Sequence, residues 1–186
     1  MSPVTHFLTG WVFANCAKLK PRDRAIVTLA SVVPDLDGLG IVPELLTRNS
    51  SHPLLSPFLA HARVCIGCSR RAFVLATQRW KTGLLALLSF HLHLVEDLLG
   101  ARGPDGYQWP IPYLKPFSST LQLTWQGQWQ LNAWPNIAIT IVLLGTTLWL
   151  AWRRRFSPLE MISARLDSAF VEALRHRFPA RTKAKG

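Results

Sequence analysis

The order of apolar and polar residues along the chain predicts a series of helices separated by proline and glycine. An apolar run from Phe7 to Ala17 indicates a first helix that ends near Pro21. A second helix is expected from about Asp23 to Val33, because Pro34 cannot continue it. Strand-type alternation does not extend over any stretch long enough to build a sheet. The pattern therefore predicts a mainly α-helical fold.

The middle of the chain combines two further helical segments with a long loop. We expect helices from about Phe58 to Gln78 and from Lys81 to Leu99. Residues 100–117 contain three glycines and four prolines, which exclude a regular helix or a central strand. Ordered loops of this length usually carry a function or cover a site. The expected architecture is a helical, membrane-associated bundle with this long Pro/Gly-rich loop.

Residues 136–152 are the clearest candidate for a membrane span. These seventeen residues carry no charge, and as a helix they extend roughly 25 Å, near the lower limit for a bilayer core. Tryptophans lie on both sides, at Trp134 and Trp152, and three arginines follow at 153–155. Aromatic belts and a basic flank are typical of spans, and the positive-inside rule predicts a cytoplasmic C-terminal tail. A buried core helix is the alternative, because the segment is short.

Charge and composition favour a membrane over nucleic acid as the partner. The net charge is +11, and 49% of the residues are hydrophobic against 17% charged. Residues 153–186, which follow the most apolar segment, carry nine Lys/Arg and three Asp/Glu. Ser157 and Glu160 form a capping box at the start of a basic amphipathic helix, which would lie on the membrane surface or pack against the protein. Nucleic-acid-binding motifs are not found, so we expect membrane lipid and no nucleic acid.

These features divide the chain into three parts. A helical domain is predicted over residues 1–134, a transmembrane helix over 135–152, and a basic amphipathic C-terminal helix with its tail over 153–186. The N-terminal apolar run precedes its basic cluster, which is the opposite polarity to that of a cleavable signal peptide. We therefore expect this run to remain in the mature protein.

The stretch SFHLHLVEDLL, from Ser89 to Leu99, places two histidines and two adjacent carboxylates in an otherwise apolar segment. Each of these groups costs several kcal/mol to bury unless it is paired or bound. On a helix His93 and Asp97 share a face, whereas His91 points nearly opposite. An imidazole and a carboxylate on one face can both bind Zn²⁺. The alternative is a simple hydrogen-bonded pair.

Two other segments carry residues that can bind metal. The sequence Pro-Asp-Leu-Asp sets Asp35 and Asp37 close together at a helix terminus. These carboxylates could face one cation or serve as turn and capping residues. His61 and Cys65 would share a helical face, and a thiolate ligand would favour zinc over magnesium.

Three motifs in this order resemble a known family. The stretches THFLTG (Thr5–Gly10), VPDLDGLG (Val33–Gly40) and HLVEDLLGARGPDGYQWPIPYLKPFS (His93–Ser118) are together similar to the bacterial membrane-bound metal-dependent hydrolases, a group of inner-membrane proteins. The resemblance implies a metal site made of His6, Asp37, His93 and Asp97, with Asp35 close by. The third motif is also distantly similar to zinc-dependent phospholipase C, a helical enzyme that cleaves phosphoesters. Family members usually have a histidine-rich stretch between the second and third motifs, where this chain lacks His-Arg-Gly but has His61, our remaining candidate ligand.

The expected function is a membrane-bound, metal-dependent hydrolase, integral to the inner membrane. Its cofactor would be a divalent metal, with zinc the expected ion, which activates water for attack on a phosphoester or other lipid-linked substrate. Glu96, next to Asp97 in the chain, is the candidate catalytic residue, either as the base that takes the proton or as a support for a metal ligand. One alternative is a non-catalytic integral membrane protein in which a degenerate metal or polar cluster clamps helices together. Another is a transporter that uses buried His and Asp as an ion path.

Overall fold

The computed structural model describes residues 1–35, 73–108, 110–111, 113–114 and 120–179, together with positions 67, 70 and 118. Within these residues the fold is mainly helical, as predicted. The β contacts in this part of the chain are two isolated bridges, Arg102–Gln130 and Ile111–Leu123. The predicted loop is also confirmed, because the described residues between 101 and 133 contain no helix.

Two short helices, α1 (Pro3–Ala14) and α2 (Pro21–Ala30), form the N-terminal part of the fold. Both begin with proline, whose missing N–H is not needed at the first helical position. The side chain of Ser2 caps α1 by accepting a hydrogen bond from the backbone N–H of Thr5. Because of this cap, α1 begins four residues earlier than the apolar run predicts. After α2, a single 3₁₀ turn at Val33–Asp35 includes the helix-breaking proline.

Three further helices follow in the described residues: α3 (Arg79–Gly100), α4 (Trp134–Arg154) and α5 (Ala164–Arg177). The helix predicted to end at Gln78 lies largely outside the described residues, and residues 76–78 are not helical. Their backbone instead donates to a side chain, since the N–H groups of Thr77 and Gln78 bind the carboxylate of Asp23 at 2.8 and 3.3 Å. This contact joins the start of α3 to the start of α2.

The helices pack so that polar side chains lie between them. Helix α1 packs against α2 and α4, and α2 packs against α3. The buried polar residues of these helices are Thr5, His6, Asp23, Arg24, Thr28, Thr82, Ser89, His93, Glu96, Asn136 and Thr147. Gly10 permits the close approach of α1 and α2, because a Cβ atom there would lie 2.0 Å from Ser31 Oγ.

The outer faces of α3 and α4 are apolar and exposed. The exposed large side chains of α3 include Trp80, Leu84, Leu88 and Val95. Those of α4 include Trp134, Ile137, Ile141, Val142, Leu144 and Trp149. In the described part of the chain, α3 and α4 are the helices long and apolar enough to cross a membrane. The segment predicted at 136–152 is thus helical throughout and extends from Trp134 to Arg154.

Candidate metal centre

Two histidines and two carboxylates converge between α1, α3 and the turn after α2. His6 comes from α1, His93 and Asp97 come from α3, and Asp35 ends the 3₁₀ turn. One ligand atom from each of the four residues lies within 4.8 Å of those of the other three. Residues separated by up to 91 positions in the chain therefore meet at one point.

Both imidazoles present Nε2 to the same carboxylate. His6 Nε2 lies 3.1 Å from Asp97 Oδ1, and His93 Nε2 lies 3.0 Å from Asp97 Oδ2. The centroids of the two rings lie 3.8 Å apart, and the ring planes are tilted by 33° to each other. An imidazole nitrogen and a carboxylate oxygen approach this closely only when a proton or a metal ion lies between them. The site is therefore built to hold positive charge.

The opposite nitrogen of each ring is held by an acceptor. His93 Nδ1 lies 2.7 Å from the carbonyl oxygen of Ser31, and His6 Nδ1 lies 2.5 Å from Glu96 Oε2. The hydroxyl of Thr9 donates to the other Glu96 oxygen, also at 2.5 Å. Metal-binding histidines almost always donate the second N–H to a carboxylate or backbone carbonyl, which fixes the ring orientation. Both rings are thus oriented as in a metal site.

Asp35 adds a carboxylate that is only partly satisfied. Its Oδ1 lies 3.8 Å from His93 Nε2. Its Oδ2 is buried and has no hydrogen-bond partner among the residues that the structure describes. Burial raises the pKa of the Asp35 carboxyl, although the neighbouring histidines oppose this shift. A buried carboxylate oxygen without a partner is costly, and a cation at this site would supply the missing interaction.

Without a metal, protons and an ammonium balance the carboxylates. Burial lowers the pKa of His6, but the hydrogen bonds to Asp97 and Glu96 outweigh it and raise the pKa to about 9. The α-amino group of Met1 also contacts Asp97 Oδ1. At neutral pH the metal-free site therefore holds a protonated His6.

The structure brings together four of the six metal-binding residues that the sequence predicts. They are His6, Asp35, His93 and Asp97. Asp37 and His61 lie outside the described residues, so their part in the site stays a prediction. His91 points away from the cluster, as its spacing predicts, and its ring lies against Leu87 O and the Tyr113 hydroxyl.

Glu96 lies behind the imidazole of His6 rather than in front of it. One of its carboxylate oxygens lies against His6 Nδ1, and the other accepts from the Thr9 hydroxyl. Of the two roles predicted for Glu96, this geometry favours support of a metal ligand over proton transfer. Thr9 and Ser31 were not among the residues predicted from the sequence. The signal for Thr9 was available, because it follows His6 by three positions and so lies on nearly the same face of α1. Ser31 uses a backbone carbonyl, which carries no sequence signal.

The donor set fits a divalent cation. Two imidazole nitrogens and two carboxylates are ligands that zinc and other first-row divalent metals accept. The buried Asp35 oxygen and the fixed Nδ1 atoms are independent observations that agree with this fit. Comparisons of the chain with protein-family models, curated proteins and solved structures found no match in any of the three. The chemistry of the site must therefore be inferred from its own geometry.

Proposed function

We propose that this protein is a membrane-bound, metal-dependent hydrolase whose metal is held by His6, His93, Asp35 and Asp97. The observation that supports this most strongly is the convergence of two imidazoles, each already oriented through Nδ1, on a shared carboxylate. A simple hydrogen-bonded pair would need only His93 and Asp97. Two oriented rings and a second, partly unsatisfied carboxylate are more than such a pair requires.

The roles of the side chains follow from their positions. When bound, a divalent metal such as zinc would supply Lewis-acid activation of water and of the bond under attack. The Nε2 atoms of His6 and His93 would bind it, and Asp35 and Asp97 would neutralise its charge. Glu96, which also accepts from Thr9, holds the Nδ1 side of the His6 ring and so keeps Nε2 directed at Asp97. These residues prepare the site before any ligand arrives.

Membrane placement is supported by the apolar outer faces of α3 and α4. Exposed isoleucine, valine, leucine and tryptophan cover the outside of these helices, while polar residues such as Ser89, His93 and Asn136 are buried. Apolar surfaces of this extent mark contact with a partner or a membrane. The order of motifs that resembles the membrane-bound hydrolases points to the inner membrane, and the arginines after α4 favour a cytoplasmic C-terminal tail.

A phosphoester or another lipid-linked compound is the substrate class we favour. The cluster lies near the end of α3, a helix whose other face is apolar and exposed at Leu88 and Val95. A headgroup in the adjoining lipid could reach such a site without leaving the membrane surface. The resemblance of the third motif to a phosphoester-cleaving enzyme supports the same class.

The direct test is metal content combined with hydrolysis. Protein purified in detergent is analysed for bound metal as the wild type, as His93→Gln and as the matched control His91→Gln, which alters the same helix on another face. We expect one divalent ion per chain in the wild type and in His91→Gln, and at least a tenfold loss of metal in His93→Gln. The metal-loaded protein should cleave bis(p-nitrophenyl) phosphate or phospholipid in vesicles, and a chelator should abolish this activity. Equal metal content in both variants, or none in any sample, would contradict the proposal.

A non-catalytic role is the second candidate, and one observation favours it. The ion pairs of His6 with Glu96 and Asp97 already join α1 to α3 without a metal. If this polar cluster only clamps the helices, Asp97→Asn should unfold the protein. If the cluster is a hydrolase site, Asp97→Asn should keep its fold in detergent and lose metal and activity.

A further inference from the structure

The basic side chains of the helical region gather at one end. Three contacts define this end: Asp23 with the start of α3, Arg24 with Glu160, and Arg154 with Asn15. The exposed cations located here are Lys18, Lys20, Arg22, Arg79, Lys81 and the arginines at 153–155. Helix α5 lies at the same end, because Arg175 donates to the carbonyl oxygen of Trp152.

The metal centre lies at the other end. Asn136, in the first turn of α4, donates to the carbonyl oxygen of Gly100, the last residue of α3. The segment between α3 and α4 covers this end, since Gln128 Nε2 donates to the carbonyl oxygen of Asp97 and Trp129 N donates to that of Leu99. In the described part of the chain, the charged groups near this end are the carboxylates of the cluster and of Asp105, with Arg102 and the α-amino group of Met1 as cations. Both long helices therefore have one basic end and one end that holds the site.

The two ends are separated by about the thickness of a bilayer core. At about 1.5 Å per residue, α3 rises about 27 Å from Arg79 to Asp97, and α4 rises the same distance from Asn136 to Arg154. A hydrocarbon core is about 30 Å thick. From Asp97 to Gly100 the helix rises only about 5 Å. The metal centre is thus shallow at one surface, and the basic end reaches the other.

We propose that the metal centre opens to the non-cytoplasmic side of the membrane and takes phosphoester substrates presented there, such as headgroups in the non-cytoplasmic leaflet. This inference rests on the proposed membrane placement. Lys and Arg close to span ends and in short connections remain on the cytoplasmic side. The connection between α1 and α2 and the flanks of α3 and α4 all agree on the same end. The position of the site follows from the contacts that place it opposite these cations.

Cysteine accessibility tests this orientation directly. Native Cys16 is exposed at the basic end, so a Cys65→Ser, Cys68→Ser variant reports on that end. Adding Cys16→Ser and Gln126→Cys to this background reports on the site end, because Gln126 is exposed and lies two residues from Gln128. Asp105→Cys is a second probe of the same loop. Each variant is expressed in bacterial cells and treated with a membrane-impermeant maleimide, as intact spheroplasts and after permeabilisation.

We expect Gln126→Cys and Asp105→Cys to be labelled in intact spheroplasts, and Cys16 to be labelled at least tenfold more after permeabilisation than before. The reverse pattern, or labelling of both ends from one side, would overturn the inference and leave the proposed hydrolase in place. Recovery of the protein in the soluble fraction would instead refute the membrane placement, and with it the inference. Bound metal in each variant, measured in the same preparations, separates a wrong orientation from a damaged site.

Discussion

Replacement of Glu96 by glutamine tests whether this residue orients a metal ligand. The substitution keeps the size of the side chain but removes its charge. In the wild type the two carboxylate oxygens accept hydrogen bonds from His6 Nδ1 and from the Thr9 hydroxyl, each at 2.5 Å. Glutamine places an NH2 donor where one of these two oxygens stood, so it cannot accept at both positions as the carboxylate does. The His6 ring therefore loses the charged partner that fixes its orientation.

The size of the effect follows from the burial of this contact. His6 is fully buried and Glu96 is 8% exposed, so the hydrogen bond is shielded from water. A hydrogen bond to a charged group contributes about 1.5–3 kcal/mol, and loss of such a partner typically weakens metal binding about 10- to 100-fold. We expect Glu96→Gln to lie in this range. Thr9→Val, which removes only the second contact to the carboxylate, should weaken binding less than about tenfold.

The assay is zinc binding in detergent by competition with a chromophoric chelator. Glu172→Gln is the matched control, because Glu172 is exposed on α5. The zinc affinity of this variant should equal that of the wild type. Unchanged zinc affinity in Glu96→Gln would refute the positioning role. Unchanged affinity together with lost hydrolysis would instead support the role of Glu96 as a catalytic base.

Three further predictions follow from other contacts. Hydrogen bonds to Asp97 and Glu96 raise the pKa of His6 to about 9, so a bound metal must displace a proton from this residue. Zinc affinity, measured by isothermal titration, should therefore rise about tenfold per pH unit from pH 6 toward 9. An affinity independent of pH would contradict this. Arg24 donates two hydrogen bonds to the carboxylate of Glu160, at 2.6 and 2.7 Å. Arg24→Met leaves this buried carboxylate without them and should destabilise the protein by about 3 kcal/mol in thermal unfolding. The control Arg153→Met, at an exposed position, should change the stability little. Gly10→Ala places a Cβ atom 2.0 Å from Ser31 Oγ and should lower the Tm and weaken zinc binding. Gly145→Ala has open space around it and should raise stability by up to about 1 kcal/mol. Equal Tm values for the two variants would count against the close approach of α1 and α2.

Local signals account for most of the helices that could be predicted. The helix-ending Pro34 and the uncharged apolar run at 136–152 are short-range features, and they locate α2 and α4 to within a few residues. The start of α1 was predicted too late because the cap formed by Ser2 lies outside the apolar run. Residues 76–78 were predicted as helix, but the N–H groups of Thr77 and Gln78 bind Asp23, more than fifty positions away. Such long-range contacts carry no local sequence signal.

The candidate site could be predicted only in part, because some of its contacts are local in the chain and others are long-range. The pairing of His93 with Asp97 follows from helical spacing, and the structure confirms it at 3.0 Å. The Pro-Asp-Leu-Asp motif indicates Asp35, and the order of motifs indicates His6. Neither residue lies near α3 in the chain, so local spacing could not predict that they meet His93. The support that Ser31 gives to His93 comes from a backbone carbonyl, so no residue type could have revealed it. Asp37 and His61 stay predictions.

X-ray absorption at the zinc edge is the decisive test of whether His6, His93, Asp35 and Asp97 bind a metal, because it reports the ligands of the bound ion. We expect at least two imidazoles with nitrogen at about 2.0–2.1 Å and carboxylate oxygens at similar distances. One imidazole should be lost in His93→Gln and none in His91→Gln. A spectrum without imidazole, or one dominated by sulfur at about 2.3 Å, would contradict this expectation.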